Sequence, residues 1–210
     1  MRPILHLGHP TLRQTATPIT DFTSPSLQTL IDDLLITLRS ANGVGIAAPQ
    51  VDESLQIIII ASRPTPRYPN APEMDPIALI NPKIISCSAE LEKGWEGCLS
   101  VPQYRGFVPR HQSITVEYTD RTGATIQTIF TDFVARIFQH EYDHLQGLLF
   151  LDRLESERDR VTAEEFKALF PDTQNQSLSS PNPSPSHINC QYNQQSPKQL
   201  IDPIARQLLQ

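Results

Sequence analysis

Apolar residues recur with helical spacing in one early stretch of the chain. Leucine or isoleucine stands at positions 27, 30, 31, 34, 35 and 38, the i, i+3, i+4, i+7 pattern of an amphipathic helix. Ser24 can cap the start with Pro25 at the first helical position, and Gly43 follows the end. We therefore predict a helix from Leu27 to about Ala41 whose apolar stripe belongs to the core.

Shorter apolar runs in the middle of the chain predict β-strands, because they are bounded by turn residues. The predicted strands, of which the last two form a hairpin, are Leu55–Ala61, Ile77–Ile80, Lys83–Glu90, Ser113–Asp120 and Ala124–Phe130. A second helix is predicted from position 131 or 132 to Gln146, closed by Gly147. A third begins at a capping box of Thr162 and Glu165 and stops before Pro171. Strands without regular βαβ alternation indicate an α+β domain of mainly antiparallel strands.

The composition changes sharply at position 171. The last 40 residues hold six prolines, eight glutamines, six serines and four charged side chains. Such a segment buries too little apolar surface to offset an ordering entropy of about 1–2 kcal/mol per residue. We therefore predict a folded domain over residues 1–170 and a disordered C-terminal tail over residues 171–210.

Charge and hydropathy narrow the range of partners. The chain carries 17 basic and 23 acidic residues, a net charge of −6, and no basic block, which disfavours sequence-specific binding of nucleic acid. Its longest aliphatic run, Ile57–Ala61, is far below the ~20 residues that span a bilayer, so we expect no membrane association and a cytoplasmic location. Cys87, Cys98 and Cys190 form no CxxC pair, and we expect their thiols to be free.

The second predicted helix carries candidate chemistry in His140–His144, which reads HEYDH. Histidines at i and i+4 lie one turn apart on the same helix face, so both imidazoles can reach one divalent ion. Glu141 stands beside them and can transfer protons. This HExxH pattern favours a metal-dependent hydrolase, although a helix with two surface histidines would show the same letters.

A catalytic metal site usually has three protein ligands, so a third donor is required. The metzincin pattern would place histidine at position 150, where this chain has Phe150. A thermolysin-like enzyme would use a later glutamate, for which Glu164 and Glu165 are candidates. Cys98 is the other candidate, because Gly97 before it allows close backbone approach and a metal would stabilise the thiolate.

A third segment, Gly43–Gln50, contains little side-chain bulk. Two glycines and two alanines in eight residues suit a backbone edge against which a ligand can lie. Gln50 supplies a neutral amide that can donate to a developing oxyanion.

Together these three segments resemble the signatures of peptide deformylases, which follow one another in the same order. The matching stretches, in which every fixed signature position agrees, are Gly43–Gln50, Glu96–Ser100 and Gln139–His144. The resemblance extends over about the first 155 residues, and three ordered motifs are not expected by chance. It implies an α+β metallohydrolase domain in which strands surround a central helix carrying HExxH. The tail matches nothing in that family.

The resemblance also implies roles for individual residues. Glu141 would transfer protons, while the Gln50 side chain and the N–H of Leu99 would stabilise the oxyanion. One divalent ion, Fe²⁺ by family resemblance with Zn²⁺, Ni²⁺ or Co²⁺ as alternatives, would be held by Cys98, His140 and His144. We also expect Arg110 to pair with Glu96 and orient the loop that carries the cysteine.

The substrate implied is the N-formyl-methionyl end of a nascent peptide, with the ribosome as a further partner, and the products are formate and a free N-terminus. The peptide would lie extended against the edge formed by Val44 and Gly45. Its methionine side chain would enter an apolar pocket near Val44 and Ile137, bordered by Gly97 and Arg105.

Two other functions are consistent with parts of the sequence. A thermolysin-like endopeptidase would leave Cys98 and Gln50 without a role. A non-catalytic metal or scaffold protein acting through the Pro/Gln-rich tail would not need Glu141. The sequence therefore favours the deformylase.

Overall fold

The computed structural model describes residues 1–64 and 71–170 and the backbone of residues 187–189. The helices in this part of the chain are α1 (Pro25–Ser40), α2 (Asp132–Leu145) and α3 (Ala163–Leu169). Its strands are β1 (Gly45–Ala47), β2 (Ile57–Ser62), β3 (Met74–Ser88), β4 (Leu91–Cys98), β5 (Val101–His111), β6 (Ser113–Thr119), β7 (Thr125–Thr131), β8 (Arg160–Thr162) and β9 (His187–Asn189). This is the predicted combination of helices with antiparallel sheets.

The larger sheet is antiparallel, with the strand order β1-β2-β3-β6-β7 and β9 paired to β3. Its strand β2 is buried on both faces, which explains the run of four isoleucines at positions 57–60. Ile57 and Ile59 pack in one core cluster with the apolar stripe of α1. Ile58 and Ile60 face the other way and pack in a second cluster with Phe138 of α2. The sheet therefore lies between these two helices.

The smaller sheet has the order β4-β5-β8, and α2 contacts both sheets. A third core cluster lies beneath this sheet and includes Cys98, Val108 and Phe150. A Cβ added to Gly106 of β5 would lie 2.6 Å from the Phe150 ring, so this glycine permits the close packing. The smaller sheet brings the β4–β5 turn against the C-terminal half of α2.

The three predicted helices are present. Helix α1 begins at Pro25 as expected, but the Ser24 side chain makes no capping hydrogen bond, so that expected contact is wrong. Helix α2 is followed by Gly147, whose φ of +71° is the left-handed conformation that glycine adopts readily at a helix end. The predicted capping box of α3 forms, because Thr162 and Glu165 exchange both hydrogen bonds.

The strand predictions are correct for β2 and for the β6–β7 hairpin but incomplete elsewhere. The two strands expected on either side of Asn81 are one strand, β3, because Asn81 adopts a φ of +49° and the register shifts there without ending the strand. The Asn81 side chain bonds both backbone groups of Ile19, which holds this irregularity in place. Strands β4, β5 and β8 were not predicted.

The tail from position 171 lies outside the described residues, apart from β9, whose three residues pair with β3. The prediction of a disordered tail did not anticipate this short strand. Cys87 of β3 is disulfide-bonded, so the expectation that every thiol is free is wrong for this residue. Cys98 is the free cysteine of the described part. Across residues 1–64 and 71–170, no helix has the length and apolar character needed to span a membrane.

Candidate active site

The C-terminal half of α2 presents His140, Glu141 and His144 to the β4–β5 turn, and all three are buried. The two imidazole centroids are 5.3 Å apart, as expected for residues one helical turn apart. They lie on the inner side of the helix, so the reading of two surface histidines is wrong.

Cys98 ends β4 and comes directly before the turn that leads into β5. Its Sγ lies 3.3 Å from Nε2 of His144, and one donor atom from each of Cys98, His140 and His144 lies within 4.8 Å of the others. Burial opposes ionisation of the thiol, but His144 and His140 lower the pKa of Cys98 well below its usual value. A thiolate with two imidazoles is a donor set suited to Zn²⁺, Fe²⁺, Co²⁺ or Ni²⁺, so these residues fit a divalent metal ion.

Glu96, two residues before Cys98, orients one of these histidines. Its Oε2 lies 2.9 Å from Nδ1 of His140, which leaves Nε2 of the ring for the centre of the cluster. Arg110 donates to both oxygens of Glu96, at 2.9 and 3.0 Å, which confirms the expected pairing. Burial would raise the pKa of Glu96, but the charge of Arg110 and the hydrogen bond with His140 bring it well below the usual range.

The ion pairs continue behind the cluster to a residue that sequence reasoning missed. Asp143, between the two histidines, accepts a hydrogen bond from Nη1 of Arg110 at 2.7 Å. Arg153, beyond the end of the helix, donates to both Asp143 oxygens, at 3.0 and 2.5 Å. The only signal for Asp143 in the sequence was its position inside the HEYDH motif.

Arg136, also missed, joins α2 to the smaller sheet one turn before His140. Its guanidinium donates to the carbonyl oxygens of Val108 at 2.9 Å and Glu92 at 2.7 Å, and to Oε1 of Glu96 at 3.1 Å. It occupies the space above Gly94, where an added Cβ would lie 2.8 Å from the Arg136 Cζ. The glycine in β4 therefore permits this contact.

Gln50 lies in the single-turn 3-10 helix Ala48–Val51, directly after β1, and is buried. Its Oε1 accepts a hydrogen bond from the Ala47 N–H at 2.8 Å, which fixes the orientation of the amide. Its Nε2 is 3.1 Å from Oγ of Ser100 and 3.5 Å from Sγ of Cys98. The N–H of Leu99 has no acceptor among the described residues. Two N–H donors therefore flank the cysteine.

Gly45 and Glu141 are in direct contact across the space between β1 and α2. A Cβ added to Gly45 would lie 2.8 Å from Cδ of Glu141, so only glycine leaves room for the carboxylate. Burial raises the pKa of Glu141 to about 7, against the opposing charges of His140 and His144. Its Oε2 is buried without a hydrogen-bond partner in the described structure. An unpartnered carboxylate oxygen with this pKa can exchange a proton with a bound molecule near neutral pH.

These groups line one cleft of about 930 Å³. The predicted residues that line it are Val44, Gly45, Gln50, Gly97, Cys98, Leu99, Arg105, Ile137, His140 and Glu141, while His144 lies directly behind Cys98. Among the described strands β1 pairs only with β2, so no described strand covers its other edge, which we call the open edge. Glu164 and Glu165 are exposed on α3 and do not belong to the cluster, which removes the basis for a thermolysin-like ligand set.

The family model described as polypeptide deformylase matches residues 1–160. The chain belongs to this family. Peptide deformylase 2 of Nostoc sp. is 59% identical over 167 residues, which cover 80% of this chain and 93% of the relative. Peptide deformylase 2 of Shewanella oneidensis is 45% identical over 165 residues, covering 79% and 91% of the two chains. As a family member, the chain is an enzyme, a metal-dependent hydrolase that removes the formyl group from N-terminal methionine.

Solved structures of deformylases have the same fold. The class I type b peptide deformylase of Acinetobacter baumannii with bound Met-Ala-Ser has a TM-score of 0.71 and 46% identity, covering 73% of this chain and 98% of that one. The Synechococcus elongatus deformylase in complex with actinonin has a TM-score of 0.67 and 37% identity, covering 75% and 81%.

Proposed function

We propose that this deformylase holds one divalent ion on Cys98, His140 and His144 at the end of its central helix, α2. The proximity of the three buried donors carries this assignment. A bound ion would supply Lewis-acid chemistry, lowering the pKa of a water molecule and polarising the formyl carbonyl. Fe²⁺ is the ion we propose as native, with Zn²⁺, Ni²⁺ and Co²⁺ as ions that the same donors accommodate.

We infer that the substrate is the formyl-methionyl end of a nascent peptide, bound as an added strand along the open edge of β1. Val44 and Gly45 would offer backbone groups to it, as in other cases of strand addition to a sheet edge. The methionine side chain would lie against Ile137, which is 4% exposed and lines the cleft, with Gly97 and Arg105 at the border. The peptide Met-Ala-Ser bound to the Acinetobacter baumannii relative supports a peptide in this cleft.

In this arrangement Glu141 accepts a proton as water adds to the formyl carbon. The carbonyl oxygen becomes negatively charged, and the Nε2 of Gln50 and the N–H of Leu99 are the donors placed to stabilise it. Glu141 then gives its proton to the methionine nitrogen as the carbon–nitrogen bond breaks. The products are formate and a peptide with a free amino terminus.

We further propose that the catalytic domain is residues 1–170 and that residues 171–210 form a tail outside it, disordered apart from β9. The family match to residues 1–160 supports this division, as does the location of all assigned residues between positions 44 and 144. We place the enzyme in the cytoplasm, at or near the ribosome, because a formyl-methionine end belongs to a newly made chain.

The deciding measurement is formate release from formyl-Met-Ala-Ser by metal-loaded protein. We expect release from this peptide and far less from acetyl-Met-Ala-Ser, because an added methyl group would displace the reacting carbon, and about 1 Å of displacement can cost ~100-fold in rate. Cleavage of unblocked peptides at internal bonds, without formate release, would contradict the proposal.

A further inference from the structure

The outer part of the cleft is built by Trp95 and α3, which have no part in the chemistry proposed above. Four residues of α3 and its C-cap line the cleft, and their spacing places them on one face of the helix. They are Ala163, Phe166, Lys167 and Phe170. The Trp95 ring centroid is 5.2 Å from that of Phe166 and 6.1 Å from that of Phe170, both edge-on. These contacts hold α3 against β4 as one wall of the cleft.

The charged groups of this outer region are cationic. Arg63 and Lys167 line it, Arg105 lies at its inner border beside Gly97, and the carboxylates among the described lining residues are those of Glu96 and Glu141. Both are deep in the cleft and only 4% exposed, and Glu96 is paired to arginines. The solvent-facing charges among the described lining residues are therefore positive, on a chain whose net charge is −6.

We propose that this outer cleft binds the residues that follow methionine in the substrate and favours acidic side chains there. The inference rests on the proposed function, in which the formyl group reaches Glu141 and the methionine side chain reaches Ile137. An extended peptide advances about 3.3 Å per residue, so its next residues continue along the cleft towards the outer lining. Cations there attract carboxylates and repel ammonium groups on the substrate.

The test compares kcat/KM for formyl-Met-Ala-Glu-amide, formyl-Met-Ala-Ser-amide and formyl-Met-Ala-Lys-amide. The amide removes the C-terminal charge, so the peptides differ at the third residue only. We expect the glutamate peptide to exceed the lysine peptide by about 3–10-fold at low ionic strength, which is typical of exposed charge pairs. The ratio should approach one in 0.5 M NaCl, because salt screens such pairs.

Variants that each remove one positive charge test which residues cause the preference for the glutamate peptide. Lys167→Met and Arg63→Met should each lower the glutamate-to-lysine ratio by about 2–3-fold. Lys83→Met and Arg39→Met remove the same charges outside the cleft and should leave the ratio unchanged. Because each ratio is taken on one protein sample, partial misfolding of a variant does not change it.

The outcomes separate this inference from the proposed function. Deformylation of all three peptides at equal kcat/KM would overturn the inference and leave the function standing. A glutamate-to-lysine ratio that stays unchanged in 0.5 M NaCl, or in both Lys167→Met and Arg63→Met, would also overturn the inference. Absence of formate from every peptide would overturn both.

Discussion

At the scale of single residues, the site depends on one carboxylate held in a space that only glycine provides. Glu141 is 4% exposed, touches Gly45 and keeps one oxygen without a partner in the described structure. Its burial raises its pKa, which makes it a stronger base than an ordinary glutamate once it is ionised. The position of this side chain is therefore what makes it reactive.

Replacing this carboxylate by its amide should remove turnover without removing metal. Glu141→Gln keeps the shape beside Gly45 but cannot accept a proton, so we expect kcat to fall by about 100-fold or more. Metal content, measured by atomic absorption, should stay at the wild-type value. Glu164→Gln, an exposed control on α3, should change neither quantity, and near-normal turnover in Glu141→Gln would exclude the proton-transfer role.

The choice of third ligand is tested by a second pair of variants. Cys98→Ala removes the thiolate, leaving two imidazoles, and should lose most bound metal and activity because structural and catalytic sites need at least three protein donors. Glu164→Ala should retain both. Metal analysis after dialysis distinguishes them, and the reverse result would restore the thermolysin-like ligand set.

The buried ion pairs behind Cys98, His140 and His144 predict acid sensitivity. Although burial opposes its ionisation, the charges of Arg110 and Arg153 keep the pKa of Asp143 below its usual value. A carboxylate with a lowered folded-state pKa stabilises the protein above the unfolded-state pKa of about 4, and this contribution is lost as pH falls towards the folded-state pKa.

Asp143→Asn should therefore be destabilised by about 3 kcal/mol at pH 7, because it removes the buried carboxylate that pairs with the buried Arg110 and the half-buried Arg153. The difference from wild type in the free energy of unfolding, measured in urea, should shrink as the pH is lowered from 5 to 3. A deficit that stays constant over this range would show that the Asp143 charge is not the cause.

The sequence revealed the residues that carry chemistry better than those that position them. His140, Glu141, Cys98 and Gln50 stand in motifs whose spacing has a chemical reason. Arg136 acts through carbonyl and carboxylate acceptors on β4 and β5, which are distant from it in sequence, so nothing in its local sequence reports its role. Long-range contacts of this kind become visible only in the folded structure.

At the scale of elements, helix α3 is short and depends on its ring contacts. Its seven residues are too few for a stable isolated helix, and Phe166 lies between Trp95 and Phe170, with centroids 5.2 and 4.9 Å away. The wall that it forms beside the cleft should therefore respond to loss of a single ring.

Phe166→Ala should raise KM for formyl-Met-Ala-Ser several-fold and change kcat much less, because the chemical groups on α2 are not touched. Alanine favours helix, so the effect would come from lost ring contacts, worth about 0.5–1.5 kcal/mol each. Leu169→Ala, at a residue that is 61% exposed, is the matched control and should leave KM unchanged. Steady-state kinetics would decide, and an unaltered KM in Phe166→Ala would contradict the proposed wall.

The helices and strands that the sequence predicts differ from those it does not predict in the pattern of their apolar residues. Helix α1 buries one stripe and β2 is a continuous apolar run, so local pattern predicts them, whereas α2 is buried along nearly all of its C-terminal half and is indicated by the residues at its ends. Strands β4 and β5 mix charges, glycines and prolines because their faces meet a cleft, a helix and solvent in turn. Pairing between them, rather than a local apolar pattern, defines these strands.

At the scale of the whole molecule, the site is assembled from both sheets and the helix that contacts them, and every residue assigned to the chemistry precedes position 145. A chain ending at Phe170 should therefore keep its deformylation rate within error, while it loses whatever stability the pairing of β9 with β3 contributes. Formate release and calorimetry on the full and shortened chains provide the test. A loss of several degrees would show that residues after 170 stabilise the domain, with the β9 pairing to β3 as the first contact to examine.

The open edge of β1 has a consequence for when the enzyme can act. A substrate terminus must offer an unpaired, extended backbone to add to this edge. An amino terminus that has already entered its own helix or sheet has used those groups and must unfold locally before it can bind. Deformylation therefore competes kinetically with the folding of each substrate protein. Proteins whose first residues fold fastest will most often keep their formyl group.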